Sequence, residues 1–458
     1  MAKQANYHGK NVLVLGLAKS GYYAAKLLLD LGATVTVNDA ANLAQNKDAQ
    51  ELEDLGVVVI SGSHPENLLN AGFDLIVKNP GIPYTNPVLE EAKKRSLPIV
   101  TEIEVATTVT EASIIGITGT NGKTTTTSII YEMLSIGRDI GSAYAIGNIG
   151  VPASKVALAL HSEDDAVIEL SSFQLMGTPN IRPEIAVITN LFSAHLDYHG
   201  SQDAYEEAKM NLLVNQTAKD YVIYNADQAH LVERVESLSK AQKFPFSRLT
   251  FLEQGICAID GKIYFNAETV AEVSDIFLSG LHNLENFLAA VGVAKLKGIS
   301  NETIQQVLRQ FQGVKHRTQY VREFSGRIFY NDSKATNIEA TENALNGFNQ
   351  PVILLAGGLD RGNTFDELVP ALKNVKALIT FGETANKMVD AAEKAGIPTI
   401  IKTEDVRSAV PEAYKISAPG DVILLSPAAA SWDQYANFEI RGDTYIEAIE
   451  QLVDKENQ

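Results

Sequence analysis

The chain has 458 residues, 45% of them hydrophobic and 21% charged, with a formal net charge of −18 at pH 7; this length suits about three domains, and the composition is that of folded globular protein. So acidic a balance argues against a nucleic acid partner. Cys257 is the only cysteine, which excludes an intrachain disulfide and fits a reducing compartment, and neither a signal peptide nor an uncharged run long enough for a bilayer is legible.

In chain order, Asn11–Leu15 (NVLVL) reads as a buried strand. A helical run through residues 22–30, a strand at 34–38 ending on Asp39, and strands near 57–60 and 75–78 follow. This βαβ rhythm predicts a parallel sheet wrapped by helices. Gly16 to Gly21 spaces its glycines as G-x-x-x-x-G rather than as the dinucleotide pattern G-x-G-x-x-G. Asp39 stands where a ribose-binding acid would lie, and equally where a tight turn would carry a surface aspartate. Residues 79–83 (NPGIP) form a breaker-rich loop, and a strand at 99–100 closes the first domain near 102.

The rhythm restarts with a strand at 113–117, then Thr118-Gly119-Thr120-Asn121-Gly122-Lys123-Thr124, then a helix over 125–134. A glycine-rich turn between strand and helix suits a phosphate loop. Glycines admit backbone N–H groups to the phosphates, a lysine reaches terminal phosphate oxygens, and a threonine hydroxyl ligates magnesium. The strict G-x-x-x-x-G-K-[ST] pattern is broken, since Ile117 stands where its first glycine belongs; the bland alternative is a turn with a surface lysine. Strands at 166–170 and 185–189 deliver polar residues at their C-terminal ends, where open α/β sheets bind ligands. Glu169 could hold Mg²⁺ there. His195 and Asp197, taken alone, read as ordinary loop residues. Lys209 lies on an amphipathic helix over 203–213 and reads as solvated; as a cation it cannot ligate a cation. A second helix covers 282–296.

The third segment starts after Gly313, with strands at 327–330, 352–356, 377–381 and 421–425 separated by helical runs. It reads as another α/β unit.

Together these residues resemble the Mur ligases. The loop from Thr118 to Thr124 looks like that family's ATP loop, whose own glycine spacing accounts for the broken pattern. Glu169-Leu170-Ser171-Ser172-Phe173-Gln174-Leu175, residues 190–195, and Gly280-Leu281-His282-Asn283 with Asn286 are similar to successive central-domain motifs. Phe311-Gln312-Gly313 with His316-Arg317 resembles the entry to the last domain. Residues 331–337 (NDSKATN) and 426–443 (SPAAASWDQYANFEIRGD) are similar to the D-glutamate-adding branch.

The resemblance implies a three-domain α/β fold. A Rossmann-like UDP-substrate domain would span 1–102, a central ATP-binding domain with a mainly parallel sheet 103–312, and a Rossmann-like amino-acid-binding domain 313–458. It implies ADP-forming ligation of D-glutamate to UDP-N-acetylmuramoyl-L-alanine through an acyl phosphate. That places the enzyme in cytoplasmic peptidoglycan precursor synthesis, and so in cell-wall biogenesis, shape and division, as a monomer needing neither nucleic acid nor membrane. Catalytic roles fall to Lys123, Asn148, His195, Lys209 and Lys334. ATP would meet Gly119, Thr120, Asn121, Gly122, Lys123, Thr124 and Thr125, with Asn286, Arg317 and Asp332 on the adenosine side. Two Mg²⁺ would be held, one by Thr124 and Glu169, the other by His195 and Lys209 once CO₂ has carbamylated that lysine. The UDP-substrate would meet Ser20, Asp39, Asn79, Gly81, Asn148, Ser171 and Gln174. D-Glutamate would meet Lys334, Thr336, Arg361, Ser431 and Phe438, with Arg361 standing where some relatives carry lysine.

Three other readings compete. Another ATP-dependent ligase, such as folylpolyglutamate synthase, is disfavoured by residues 331–337 and 426–443. A nucleotide switch has no need of Glu169, His195 and Lys209 together. A Rossmann oxidoreductase lacks its glycine pattern.

Overall fold

The computed structural model describes residues 6–456 except 279, with the side chains of Asp197 and His282 outside the description. Three sheets carry the chain. The first contains β1 (Asn11–Leu15), β2 (Thr34–Asp39), β3 (Val58–Ser61), β4 (Leu75–Lys78) and β5 (Ile99–Thr101), all parallel, in the order β3-β2-β1-β4-β5. Val12 to Leu15 are fully buried, as a strand covered on both faces requires. The order reverses between β1 and β4, so the loops leaving those two strands open a crevice where open α/β sheets bind ligands. Lys78 ends β4 at 1% exposure. Its Nζ donates to Pro80 O at 3.1 Å and lies 4.8 Å from the Tyr84 ring centroid, and burial lowers the amine to about 8.

The second sheet holds β6 (Ser113–Thr118), β7 (Ala143–Gly147), β8 (Asp165–Glu169), β9 (Ile185–Ile188), β10 (Tyr221–Asn225), β11 (Gln242–Ser247), β12 (Ile256–Ile259), β13 (Lys262–Phe265) and β14 (Glu268–Glu272). Its order is β14-β13-β12-β11-β10-β9-β6-β8-β7, which places β6 between β9 and β8. The strands are parallel from β7 across to β12, and β13 and β14 run antiparallel at the edge. The sequence reading missed this edge extension, whose strands are short. Its first hairpin turns on Asp260 and Gly261, both in the left-handed region, the geometry that matches strand twist in a two-residue turn.

The third sheet holds β15 (Gln319–Phe324), β16 (Arg327–Asn331), β17 (Val352–Gly357), β18 (Val375–Phe381), β19 (Thr399–Lys402) and β20 (Val422–Leu425), in the order β15-β16-β20-β17-β18-β19. Only β15 is antiparallel. The expected strands at 327–330, 352–356, 377–381 and 421–425 are all present, each shifted by no more than a residue or two at an end. By packing, the chain falls into two compact units, one ending at Phe311 and carrying the first two sheets, the other starting at Gln312.

Candidate active site

Of the seven expected UDP-substrate residues, Ser20, Asp39, Asn79 and Gly81 gather at the C-terminal ends of β1, β2 and β4 in the first sheet, while Asn148, Ser171 and Gln174 follow strands of the second. Asp39 accepts from the backbone N–H of Leu17 at 2.7 Å and of Ala41 at 2.8 Å, so its carboxylate braces the loop leaving β1. Asn79 links the two sides of the crevice: Nδ2 donates to Ser20 Oγ at 3.2 Å, and Oδ1 accepts from Gly81 N at 3.0 Å.

In the second sheet, β6 leads directly into the expected phosphate loop and then the helix Lys123–Gly137. Gly122 caps that helix at φ 81°, and a Cβ there would stand 2.1 Å from Asn286 Oδ1. Gly119 has φ 147°, and its Cβ would lie 2.0 Å from Thr189 Oγ1. Both positions therefore demand glycine. The end of β9 grips the loop from one side. Asn190 O accepts from Thr120 N at 3.0 Å and Asn190 Oδ1 from Asn121 N at 2.9 Å, while Thr189 Oγ1 donates to Asn121 O at 2.6 Å. Lys123 curls over the loop, donating to Gly119 O at 2.9 Å and Thr120 O at 2.7 Å. Gly122 at its N-cap offers no side-chain cap, and a helix N-terminus is a place where backbone N–H groups and the helix dipole favour an anion. Thr124 is buried and Thr125 half-buried in that first turn. Asn286, on the helix Leu281–Leu296, accepts from Thr126 Oγ1 at 3.2 Å.

Glu169 ends β8 at 2% exposure. Its Oε1 accepts from Asn148 Nδ2 at 2.8 Å, and its Oε2 is buried with no hydrogen-bond partner among the described residues. A buried carboxylate oxygen left without a donor is costly unless something cationic meets it, so this position fits a divalent cation. Among the described residues no group of three His, Cys, Asp or Glu side chains forms a ready cage; Mg²⁺ is commonly held by one or two carboxylates plus phosphate oxygens. Ser171 and Gln174 form a capping box on the short helix Ser172–Leu175, with Ser171 N donating to Gln174 Oε1 at 2.9 Å. His195 sits in the left-handed region at φ 54°, its ring 5.1 Å from that of Phe173 between centroids.

Lys209 reverses the solvated reading its helix suggested. It is 1% exposed, its Nζ donates to Gly119 O at 2.7 Å, and it lies 4.6 Å from the Tyr205 ring centroid. Burial first, then the charge of Lys123, lowers its amine to about 6, with Glu169 opposing. A lysine so placed is largely neutral at pH 7. Tyr205, one turn earlier on the same helix, donates from its hydroxyl to Thr120 Oγ1 at 3.0 Å. Neither Tyr205 nor Thr189 was singled out in the sequence; the i,i+4 relation of Tyr205 to Lys209 was the available signal.

The second unit carries the remaining expected residues. Asp332, just beyond β16, accepts from Thr318 N at 3.0 Å and Ser426 Oγ at 2.8 Å. Burial pushes its carboxyl up to about 6 against those donors and the charge of Arg317, which is itself exposed. A cavity of about 310 Å³ opens beside the strand ends, lined by Thr336, Asn337, Glu339, Arg361, Asn363 and Glu367 among others. Of the five expected D-glutamate residues its lining includes Thr336 and Arg361, but not, among the described residues, Lys334, Ser431 or Phe438. Ser431 adjoins the lining residue Ala430, and its buried Oγ has no hydrogen-bond partner among the described residues. Lys334 Nζ lies 5.8 Å from the Phe438 ring centroid. Arg441, read in the sequence only as part of a motif, is fully buried. It donates to Ser333 O at 2.9 Å, Ala429 O at 3.1 Å and Gly357 O at 3.4 Å, tying together the loops that leave β16, β20 and β17.

Known proteins match this geometry along the whole chain. Residues 10–101 match the Mur ligase MurD-like N-terminal domain, 117–294 the Mur ligase middle domain, and 316–429 the Mur ligase glutamate ligase domain. The chain is 55% identical over 444 residues to the UDP-N-acetylmuramoylalanine–D-glutamate ligase of Enterococcus hirae, covering 97% of this chain and 96% of that one. It is 53% identical over 456 residues to the protein of the same name from Lactiplantibacillus plantarum, covering 99% of each. Among solved structures, UDP-N-acetylmuramate–alanine ligase MurC of Thermotoga maritima superposes with a TM-score of 0.55 at 17% identity, covering 97% of this chain and 100% of that one. MurF ligase of Thermotoga maritima, in complex with ADP, gives a TM-score of 0.55 at 17% identity over 98% of this chain and 96% of that one. The structural likeness shows a shared three-domain α/β fold, and with relatives above half identity from end to end the chain belongs to the Mur ligase family.

Proposed function

We propose that this protein joins D-glutamate to the alanine carboxylate of UDP-N-acetylmuramoyl-L-alanine with conversion of ATP to ADP, as a step in peptidoglycan precursor synthesis in the cytoplasm. The observation that carries the reading is the end-to-end likeness to relatives bearing that name. The site geometry supports the chemistry. Residues 1–102, 103–312 and 313–458 would then bind UDP-substrate, ATP and amino acid respectively. Among the described residues no helix is long and apolar enough to cross a membrane.

A free carboxylate is a poor electrophile, so amide formation needs activation. The alanine carboxylate attacks the γ-phosphorus of ATP and ADP departs; the D-glutamate amine then attacks the acyl carbon of the resulting acyl phosphate, and phosphate leaves. Phosphoryl transfer depends on positioning and charge neutralisation. The loop from Gly119 to Thr125 supplies backbone donors, and Lys123 exchanges its loop carbonyls for phosphate oxygens. Asn286, Arg317 and Asp332 serve the adenosine side. Thr124 and Glu169 would hold one Mg²⁺, and His195 with carbamylated Lys209 a second; bound there, the ions would offset phosphate charge. The neutral amine of Lys209 is the form that adds to CO₂, losing a proton as the N–C bond forms. The product is an anion with two oxygens, which removes the objection to a lysine as a cation ligand. Ser20, Asp39, Asn79, Gly81, Asn148, Ser171 and Gln174 take the UDP-substrate, and Lys334, Thr336, Arg361, Ser431 and Phe438 take D-glutamate.

The test is incubation with ATP, Mg²⁺, UDP-N-acetylmuramoyl-L-alanine and either enantiomer of glutamate, following ADP and product mass. Ligated product with D-glutamate alone is expected. ADP release with no ligated product from either enantiomer would move the reaction to another acceptor and refute the substrate assignment.

A further inference from the structure

Arg361 is the cationic side chain in the lining of the second unit's cavity that was expected to meet D-glutamate. A lone arginine on a loop has many rotamers to lose on gripping a ligand. This one is not left alone, because its guanidinium lies 5.2 Å from the ring centroid of Trp432, the only tryptophan in the chain. Trp432 is 65% exposed, an unusual place for so large an apolar surface unless it has a partner to hold.

The backbone builds this pairing from both sides. Leu359 N donates to Ala430 O at 2.9 Å, fastening the arginine loop to the tryptophan loop. Glu383, in the turn after β18, clamps both: its Oε2 accepts from Asp360 N at 3.0 Å, and its own N–H donates to Asp433 Oδ2 at 3.2 Å. The carboxylate nearest in sequence, Asp360, is committed elsewhere, accepting from Gly362 N at 2.8 Å and Lys387 Nζ at 2.7 Å. Among the described residues no ion pair joins Arg361 to Asp360, whose partner is Lys387, or to the lining carboxylates Glu339 and Glu367. A guanidinium held over an aromatic face can keep its edge N–H donors for a ligand, and that edge is what grips a carboxylate bidentately.

We propose that Trp432 is a positioning residue for amino-acid specificity, fixing the Arg361 guanidinium on its indole face so that the edge donors meet a carboxylate of the incoming dicarboxylic amino acid. The inference rests on the D-glutamate reading above. A lysine at 361 would not do the same work, since an ammonium has no planar edge to aim.

The experiment compares wild type, Trp432→Leu, Trp432→Phe and Arg361→Lys under saturating ATP and UDP-N-acetylmuramoyl-L-alanine. Trp432→Leu raises KM for D-glutamate by about three- to fivefold, the range of an exposed cation–π contact, while kcat and the other two KM values stay within about twofold. Trp432→Phe, which keeps an aromatic face, recovers most of the loss. In the wild type, D-glutamate added with UDP-N-acetylmuramoyl-L-alanine and ADP present changes the single tryptophan's emission, and Arg361→Lys weakens that response. An unchanged KM for D-glutamate in Trp432→Leu would overturn the inference, as would a fall in kcat shared equally by the Leu and Phe variants. Wild-type protein that does not ligate D-glutamate at all would instead sink the parent reading, and this inference with it.

Discussion

The phosphate loop and the amino-acid cavity are built in opposite ways. The loop is gripped at its own backbone: the side chains of Asn190 and Thr189, just beyond β9, hold its N–H and C=O groups, and two glycines admit contacts no other residue allows. The cavity is formed by side chains on strand-end loops, and those loops are tied to one another by Arg441. On the proposed reading, the first arrangement would hold a phosphate common to a whole family of reactions. The second lets loop residues change with the amino acid while the sheet beneath stays the same. Damage to the first should therefore appear in turnover, and damage to the second in stability of its unit or in amino-acid KM.

The largest effect expected is from Lys123→Ala. Turnover should fall by about 10³-fold or more with an unchanged circular dichroism spectrum; turnover near wild type would break the assignment of the loop. Next is Lys209→Ala, expected to lose on the order of 10²–10³-fold in kcat and to recover part of it with added short-chain carboxylates. A fully active variant would refute the carbamate. In the second unit, Arg441→Met leaves three buried carbonyls without their donor. Calorimetry should show a loss on the order of 3 kcal/mol, and an unchanged melt would remove Arg441 from its tethering role. The smallest effect concerns Lys78. Its folded-state amine titrates near 8 against an ordinary 10.5, so between those values the unfolded chain holds a proton that the folded chain lacks. Stability should rise with pH across that window, by at most about 1.4 kcal/mol per pH unit. Lys78→Met should flatten the slope, and an identical slope in both proteins would show that the amine is not so perturbed.

Much of this architecture was legible in the sequence, because it rests on local signals. The apolar runs of β1, β6 and β17 are bounded by turns and alternate with helical periodicity, and the glycine-rich turn between β6 and the helix after it stands out by composition. What escaped depends on long-range packing. Lys209 reads as solvated from EEAKMN, and only the fold brings its amine to Gly119 O, 90 residues away. The short strands β12, β13 and β14 carry too little periodicity to separate from loop. Trp432 gives no hint in the sequence of the guanidinium it faces, since Arg361 stands on a different strand-end loop. Glu169 was found as a candidate from its strand end alone, but the orphaned Oε2 that fits it to a cation is a property of burial.

Activation of a carboxylate for amide formation, rather than ATP hydrolysis alone, is the proposed work of the phosphate loop. It is tested most directly by preparing UDP-N-acetylmuramoyl-L-alanine with ¹⁸O in the alanine carboxylate and running the reaction with ATP and D-glutamate. Each amide formed should transfer one labelled oxygen to the inorganic phosphate released. Unlabelled phosphate alongside ligated product would show that no acyl phosphate forms and would contradict that proposal.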